Sequence, residues 1–202
     1  MSGTVTLAPE LPAGQLSPLR DFVRGITALA DRDATELVFL SEGAILLRRL
    51  VADDRWLPDA YAAPDPERYR QYRLYLDPAD RFSVVSFVWG PGQRTPIHDH
   101  GIWGLVGVLR GTEIVENFER RPDGLRLAGS QRLPADSVDA VSPTIGDIHR
   151  VSNAFDDRVT ISIHLYGADI GKVRRSIYDH DGSRKGFVSG YAKAPPLSLR
   201  ND

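Results

Sequence analysis

Apolar residues recur at helical spacing in the first sixty positions of the chain. In the segment LSPLRDFVRGITALAD they fall three or four residues apart, which is typical of a helix with one buried face. Ser17 is placed to cap this helix, and Pro18 to occupy its first position. The positions predicted to face inward are Leu19, Phe22, Val23, Ile26 and Leu29.

A second helical stretch follows in TELVFLSEGAILLRRLVADD. It predicts one or two further helices whose inward stripe is Leu46, Leu47, Leu50 and Val51. The joint LPDAYAAPDPERY, rich in Pro and Asp, ends the helical pattern. We therefore expect a helical segment at residues 1–60 that packs on residues 61–202, the two together forming one structural domain.

From about residue 69 to residue 180 the pattern changes to short β-rich runs. Turn sequences such as DPAD and RPDG separate the runs, and the second is typical of a hairpin. The runs are QYRLYL, FSVVSFVWG, IWGLVGVLRG, TEIVENFER, LRLAGSQRL, DIHRVS, VTISIHLYG and KVRRSIYD. Many short strands without intervening helices favour an all-β barrel or a double-sheet sandwich. The tail AKAPPLSLRND is expected to be loose, or ordered only by a partner.

Composition narrows the function classes. The 202 residues carry a net charge of −2, which gives no reason to expect nucleic acid or an acidic membrane as a partner. No apolar run approaches the length that crosses a bilayer, and the first residues do not resemble a signal peptide. The chain has no cysteine, so it has no disulfide and no thiolate ligand or nucleophile. A cytoplasmic protein is expected; the oligomeric state stays open.

The segment PIHDHGIWG places two of the five histidines one residue apart. In a strand, His98 and His100 would project from the same face and Asp99 from the other. His149, in SPTIGDIHRVSN, lies on a later strand that could meet the pair. Imidazole suits zinc, copper, iron and nickel, so the three predict a metal site. The alternative is that each histidine is simply hydrogen-bonded in the core.

These two segments resemble the paired motifs of the cupins, small β-barrels that hold a metal near the barrel mouth. The matching residues are Gly92, His98, His100 and Gly111 in the first motif, and Pro143, Gly146, His149 and Asn153 in the second. The first motif usually carries a glutamate ligand where this chain has Gly104. The resemblance implies a cupin-type β-barrel, a double-sheet jelly roll, with three neutral histidine ligands. That variant is characteristic of thiol dioxygenases, which use non-haem Fe(II).

A second pattern places Ser162, His164 and Tyr166 at alternate positions of one strand, in SIHLYG. A hydroxyl, an imidazole and a phenol so aligned can form a hydrogen-bonded chain, although a polar outer strand face would look the same. Ser-x-His-x-Tyr resembles the triad of the cysteine dioxygenase family, and the resemblance extends over roughly residues 69–178. It implies that Tyr166 leans over the iron and that His164 and Ser162 orient its hydroxyl. His180, in YDHDGS, is expected in a surface turn.

The chain departs from the animal members of that family in two places. Gly104 stands where they have a cysteine cross-linked to the tyrosine, so Tyr166 must be unmodified. Gln71, two residues after Tyr69, stands where they have a carboxylate-binding arginine. Glutamine there is typical of the bacterial branch that resembles 3-mercaptopropionate dioxygenase. In that branch an arginine nine residues after the tyrosine binds the carboxylate, which implies Arg175; Arg174 is the adjacent alternative.

The resemblance therefore implies that a small thiol carboxylate and O2 are the partners, and that the product is a sulfinic acid. 3-Mercaptopropionate is the expected substrate and L-cysteine the alternative. Two other classes stay open: another cupin enzyme with a different metal, such as an isomerase or a quercetinase-like dioxygenase, and a cupin that senses or binds a small ligand without catalysis. The missing glutamate and the Ser-x-His-x-Tyr pattern favour the thiol dioxygenase.

Overall fold

The computed structural model describes residue 12 and residues 14–199. Helix α1 spans Ser17–Asp31 and buries all five of its predicted inward residues. The prediction that Ser17 caps this helix is wrong: the N-cap is Leu16, and no side chain caps the helix. The reason is a turn upstream, in which the Ser17 N–H already donates to the Gly14 carbonyl, so that the chain enters the helix through backbone hydrogen bonds.

The second helical stretch is one irregular helix. It comprises α2 at Glu36–Val38, a π-turn at Phe39–Gly43 and α3 at Ala44–Val51. Leu47, Leu50 and Val51 are buried as predicted, whereas Leu46 is only half-buried and lies against Gly25 of α1. A short 3-10 turn at Asp59–Tyr61 spans the predicted end of the helical segment. The division of the chain at residue 60 stays a prediction.

Eleven strands in the described part of the chain form two antiparallel sheets. The strands are β1 (Arg70–Leu76), β2 (Ser83–Trp89), β3 (Ile97–His98), β4 (Gly104–Arg110), β5 (Thr112–Arg121), β6 (Gly124–Pro134), β7 (Val138–Val141), β8 (His149–Asn153), β9 (Thr160–Tyr166), β10 (Arg175–Tyr178) and β11 (Arg184–Phe187). The first sheet has the order β1-β2-β9-β4-β7 and the second β11-β10-β3-β8-β5-β6. The predicted double-sheet jelly roll of the cupins is confirmed.

Two short strands, β7 and β11, escape the sequence pattern, and β3 is shorter than expected. β7 and β11 are four-residue strands at the edges of their sheets, too short to show alternation. The hydrogen-bonded strand β3 ends at His98, so His100 lies just beyond it rather than within it as expected. There the backbone leaves the ladder, because the N–H of His100 donates to the Asp147 carboxylate instead.

The first sheet is buried on both faces. Its outer face packs against the helices through residues such as Leu105, Ile163 and Leu165, which share one cluster with Ile26 and Leu47. Its inner face meets the second sheet in a separate apolar cluster. All seven residues of β2 and all seven of β9 are buried in consequence. The space between the sheets is where the candidate site lies.

The tail is not loose where the structure describes it. The Ala192 N–H donates to the Gln71 carbonyl over 2.8 Å, and Arg20 Nε donates to the Leu199 carbonyl over 3.2 Å. Leu197 and Leu199 pack against the helical core, and the Tyr61 hydroxyl donates to the Pro195 carbonyl. The expectation of a loose tail is wrong because these residues pack along α1 and β1. Residues 200–202 lie outside the described chain. No helix in the described ranges has the length and apolar character to span a membrane.

We expect Leu47→Ala to lower the free energy of unfolding by about 2–5 kcal/mol, because the change opens a cavity between α3 and β4. Leu47 is fully buried and touches the backbone of Gly107, where an added Cβ would lie 2.9 Å from Leu47 Cγ. Urea denaturation at equilibrium measures the change. The control is Ile45→Ala on the same helix: Ile45 is 55% exposed, and its loss should cost less than about 0.5 kcal/mol. Equal losses in both variants would contradict this view of the helix–sheet interface.

Candidate metal site and its cavity

The three histidines predicted to bind a metal are brought together. His98 on β3 pairs directly with His149 at the start of β8. His100 lies two residues after His98, just beyond the end of β3. One ring nitrogen from each lies within 4.8 Å of the other two. All three side chains are buried. The cluster therefore forms at one point between the sheets from two neighbouring strands that are far apart in sequence.

Hydrogen bonds fix the orientation of two of the rings. His98 Nδ1 lies 3.1 Å from the Pro96 carbonyl, and His100 Nδ1 lies 2.9 Å from Asp147 Oδ1. Both partners are acceptors, so each Nδ1 carries the proton and each Nε2 keeps a free lone pair. In the described chain, His149 Nδ1 is buried and has no hydrogen-bond partner. The cluster thus offers lone pairs without protein donors to occupy them.

The protonation state of the cluster suits metal ligation. Burial, with a smaller contribution from Arg175, lowers the pKa of His98 to about 4. Burial also holds the pKa of His100 and of His149 well below the usual value. All three imidazoles are therefore neutral near pH 7 and available as ligands. Three neutral nitrogen donors without a carboxylate fit a divalent transition metal and leave coordination positions open.

Gly104 offers no side chain to the histidine cluster, and its surroundings leave no room for one. A Cβ at this residue would lie 2.7 Å from Cδ1 of Tyr166, closer than real Cβ atoms approach a neighbour. The Tyr166 ring therefore fills the space in which a side chain at residue 104 would stand. The same contact places residue 104 beside the phenol ring.

Ser162, His164 and Tyr166 form a continuous hydrogen-bonded chain. Ser162 Oγ lies 2.8 Å from His164 Nε2, and His164 Nδ1 lies 2.8 Å from the Tyr166 hydroxyl. The Trp89 indole N–H donates to Ser162 Oγ over 3.2 Å. Both nitrogens of His164 are thereby occupied, and the ring stacks on Phe87 at 4.1 Å. His164 is separate from the histidine cluster, as predicted.

Burial decides the protonation of this chain. It lowers the pKa of His164 to about 3 and raises the pKa of Tyr166 above its usual range. Near neutral pH the imidazole is neutral and the phenol keeps its proton. The Tyr166 ring stacks at 5.4 Å on His100, so its hydroxyl lies in the same cavity as the histidine cluster.

The cavity in front of the histidines has a volume of about 250 Å³, enough for a molecule of a few heavy atoms. Its walls are largely aromatic and aliphatic, and they include Tyr69, Phe87, Trp89, Val151, Ile177 and Phe187. The polar groups that reach it are the four buried histidines, Thr95, Gln71, the hydroxyls of Tyr69 and Tyr166, and Arg175. Among the described lining residues there is no carboxylate.

Arg175 supplies the positive charge of the cavity. It is 5% exposed, and its Nη2 donates to Ser189 Oγ over 2.7 Å. Its Nε is buried and lacks a partner within the described chain. Arg174 is exposed, so the strand alternation left open by the sequence turns Arg175 inward and Arg174 outward. Gln71, also on the cavity wall, donates from Nε2 to the same Ser189 Oγ over 2.7 Å.

Three residues around the site were missed by sequence reasoning. The Asp147 carboxylate holds His100 and also accepts the backbone N–H groups of His100 and Gly101. Ser189 joins Gln71 to Arg175, and no local pattern marks it. Glu113 is fully buried beside Ser162. In TEIVENF, Glu113 lies two residues before Val115 and therefore on the same face of the strand. That alternation is a sequence signal for the burial of Glu113. His180 lies exposed in a turn, as expected.

The model of the family described as cysteine dioxygenase type I matches residues 1–180. The chain belongs to the cysteine dioxygenase type I family. The match extends over both sheets as far as β10 and therefore includes the histidine cluster, the Ser162–His164–Tyr166 chain and Arg175. Membership makes this protein a relative of thiol dioxygenases built on a cupin fold.

Individual relatives are more distant. Cysteine dioxygenase type 1 of Danio rerio is 25% identical over 142 residues, which cover 66% of this chain and 70% of that protein. A conserved protein with a double-stranded β-helix domain from Klebsiella pneumoniae has a TM-score of 0.47 at 16% identity, covering 60% of this chain and 93% of its own. A cupin 2 conserved barrel domain protein from Salinispora arenicola has a TM-score of 0.41 at 19% identity, covering 56% and 86%.

We expect His149→Ala to weaken Fe(II) binding by more than about 100-fold, because the loss of a group that merely supports a ligand already costs about 10–100-fold. Metal content after anaerobic loading and desalting measures the effect, and titration with Co(II) gives the affinity. The control is His180→Ala, which removes an exposed histidine and should leave the affinity unchanged. Full metal occupancy in the His149→Ala protein would rule out the three-histidine site.

Proposed function

We propose that the protein is an Fe(II)-dependent dioxygenase that converts 3-mercaptopropionate and O2 to the corresponding sulfinic acid. His98, His100 and His149 would hold the iron, which would supply a redox-active Lewis acid for the reaction of a thiolate with O2. The reaction adds both atoms of one O2 to the substrate sulfur, so that RSH becomes RSO2H without another reductant. The observation that carries the choice of substrate is a buried arginine in a cavity whose described walls contain no carboxylate.

Arg175 is suited to bind the carboxylate end of the substrate. A guanidinium donates to a carboxylate in a charge-assisted hydrogen bond, which is stronger than a bond between neutral groups. Ser189 occupies one of its terminal nitrogens, while the buried Nε is left without a protein acceptor. A small anion in the cavity would satisfy that donor. The thiol end would then point away from Arg175 towards the histidine cluster.

Gln71 supports the same end of the cavity without adding charge. Its amide donates to Ser189 Oγ and to the Gly190 carbonyl. These bonds hold the amide against the segment that follows β11, next to Arg175. A positive charge at residue 71 would place the substrate carboxylate there instead. The neutral amide leaves Arg175 as the cation that fixes the carboxylate.

The aromatic wall and the hydrogen-bonded chain serve the reaction in different ways. Tyr69 packs against Phe87 and Trp89 at ring distances of 6.0 and 4.8 Å, and these rings give the cavity an apolar wall. Tyr166, held by His164, presents its hydroxyl beside the histidines. It can exchange a hydrogen bond with groups at the reacting sulfur, and its raised pKa keeps it a phenol rather than a phenolate.

L-Cysteine is the second candidate substrate, because the zebrafish relative is named cysteine dioxygenase type 1. The α-ammonium group of cysteine would enter a cavity that already holds the Arg175 cation and has no described carboxylate. An uncompensated buried polar or charged group costs at least about 1–3 kcal/mol. 3-Mercaptopropionate lacks the amine and avoids this cost.

We expect kcat/KM for 3-mercaptopropionate to exceed that for L-cysteine by about tenfold or more, since each 1.4 kcal/mol is a factor of about ten. Oxygen consumption by the ferrous protein is measured across a panel of small thiols, and the product is identified by mass spectrometry after reaction under labelled O2. The panel includes cysteamine, which has the amine but no carboxylate and therefore tests the contribution of the carboxylate. Equal or better efficiency with L-cysteine would restore cysteine as the substrate, and no oxygen uptake with any thiol would contradict the proposed activity.

We expect Arg175→Ala to raise KM for 3-mercaptopropionate by at least about tenfold, because the loss of a charge-assisted hydrogen bond costs about 1.5–3 kcal/mol. Steady-state oxygen uptake at several substrate concentrations measures the change. Arg174→Ala is the matched control: it removes an exposed arginine from the adjacent position and should change KM little. The reverse ranking of the two variants would show that Arg175 does not bind the carboxylate.

A further inference from the structure

Glu113 on β5 is a buried acid that the proposed reaction does not use. Its side chain is fully buried between the two sheets, and neither carboxyl oxygen has a hydrogen-bond partner of good geometry in the described chain. Its strand neighbours directly opposite are Leu133 and Asn153, so no charged residue flanks it within its own sheet. A buried acid without an ion-pair partner favours its protonated form.

The polar groups that act on Glu113 belong to the far end of the Ser162 chain. The Ser162 hydroxyl and the Trp89 indole N–H both favour its charged form, while burial and the charge of Asp139 on β7 oppose it. Burial dominates and raises the pKa of Glu113 to about 7. Geometry agrees with this: Glu113 pairs directly with Asn153, whose Nδ2 donates to the Trp89 carbonyl over 3.2 Å and whose Oδ1 accepts from Thr160 Oγ1 over 2.8 Å. Glu113 therefore lies at the Trp89 and Ser162 end of the chain.

The chain from Ser162 to Tyr166 can be protonated in two directions. His164 is neutral, so only one of its nitrogens carries hydrogen. If Ser162 donates to Nε2, then Nδ1–H donates to the Tyr166 oxygen and the phenol proton is free for the cavity. If Nε2–H donates to Ser162, then the phenol donates to Nδ1 and only lone pairs of Tyr166 face the cavity. The heavy-atom positions are the same in both cases.

We propose that Glu113 is the fourth member of this chain and that its protonation sets the direction of every hydrogen bond in it. Protonated, Glu113 donates to Ser162 Oγ, which also accepts from Trp89. Both lone pairs of Ser162 are then used, so Ser162 must donate to His164. Ionised, Glu113 accepts the Ser162 proton, and the chain runs the other way. The state of a carboxyl remote from the histidines thus decides whether Tyr166 donates to the cavity or accepts from it.

Conversion between the two states delivers one proton to the cavity. The phenol proton leaves Tyr166, the Nδ1 proton of His164 moves to Tyr166, the Ser162 proton moves to Nε2, and the Glu113 proton moves to Ser162. Glu113 ends as a carboxylate, Ser162, His164 and Tyr166 each end neutral, and one proton has entered the cavity. No electrons move and no other reactant is needed. The use of that proton in turnover rests on the proposed function, whereas the direction of the chain does not.

The tautomer of His164 tests the proposal directly. Nitrogen-detected NMR of the full-length protein, labelled with ¹⁵N-histidine, shows which ring nitrogen of His164 carries hydrogen, and loss of its signals in His164→Gln assigns them. Spectra are recorded with and without Zn(II), which is diamagnetic, between pH 5.5 and 8.5. We expect the Nδ1–H tautomer at low pH and the Nε2–H tautomer at high pH, with a midpoint at about 7. A single tautomer throughout would overturn the proposal.

Glu113→Gln removes the titrating group and should abolish this change, so that one tautomer persists at every pH. Glu119→Gln, an exposed glutamate on the same strand, should titrate as the wild type does. A change that persists in the Glu113→Gln protein would assign the switch to another group and sink the proposal. Infrared spectroscopy gives a second readout. The carbonyl band of a buried carboxylic acid should be present in the wild type and absent in Glu113→Gln, and it must disappear at the same pH at which the His164 tautomer changes. Different midpoints for the two signals would also contradict the proposal. Neither readout needs turnover, so failure of the proposed activity is distinguishable from failure of this inference.

Discussion

The burial of β9 on both faces is the constraint on which the site depends. Ile161, Ile163 and Leu165 pack towards the helices, which forces the alternate residues towards the second sheet. Those alternate residues are Ser162, His164 and Tyr166. A slip of one residue in the register of β9 would place three polar groups under the helices and three apolar groups in the cavity. The packing of the helical segment therefore fixes the orientation of the hydrogen-bonded chain, although no helix residue lines the cavity.

The cavity holds two kinds of polar group. Three neutral histidines present unoccupied lone pairs and lie in an environment that disfavours their protonation. Arg175 presents a buried donor with no protein acceptor in the described chain. A ligand with an electron-rich sulfur and a carboxylate complements both. The low dielectric of an aromatic-walled cavity strengthens each of these interactions.

The contact between residue 104 and Tyr166 connects the site to its family. The resemblance to the cupins implies a glutamate ligand at this place, and the resemblance to the animal members of the family implies a cysteine joined to the tyrosine. Here a glycine lets the phenol ring approach the backbone, and Val141 closes the other side. Tyr166 is then held by packing and by His164 rather than by a covalent bond. Its hydroxyl keeps the hydrogen-bonding freedom on which the chain from Glu113 depends.

The sequence by itself determined the double-sheet architecture, the three clustered histidines and the Ser162–His164–Tyr166 chain. Period-two alternation in VTISIHLYG and the spacing of the two histidine motifs are local signals, and they predicted the polar face of β9 and the histidine cluster. Only the tertiary structure decided which of Arg174 and Arg175 faces the cavity, that Asp147 orients His100, and that Ser189 joins Gln71 to Arg175. It also decided that the tail packs on the helices and that Glu113 lies against Ser162. These are contacts between segments 14 to 179 residues apart, or consequences of where a strand meets its neighbours, and no local pattern encodes them.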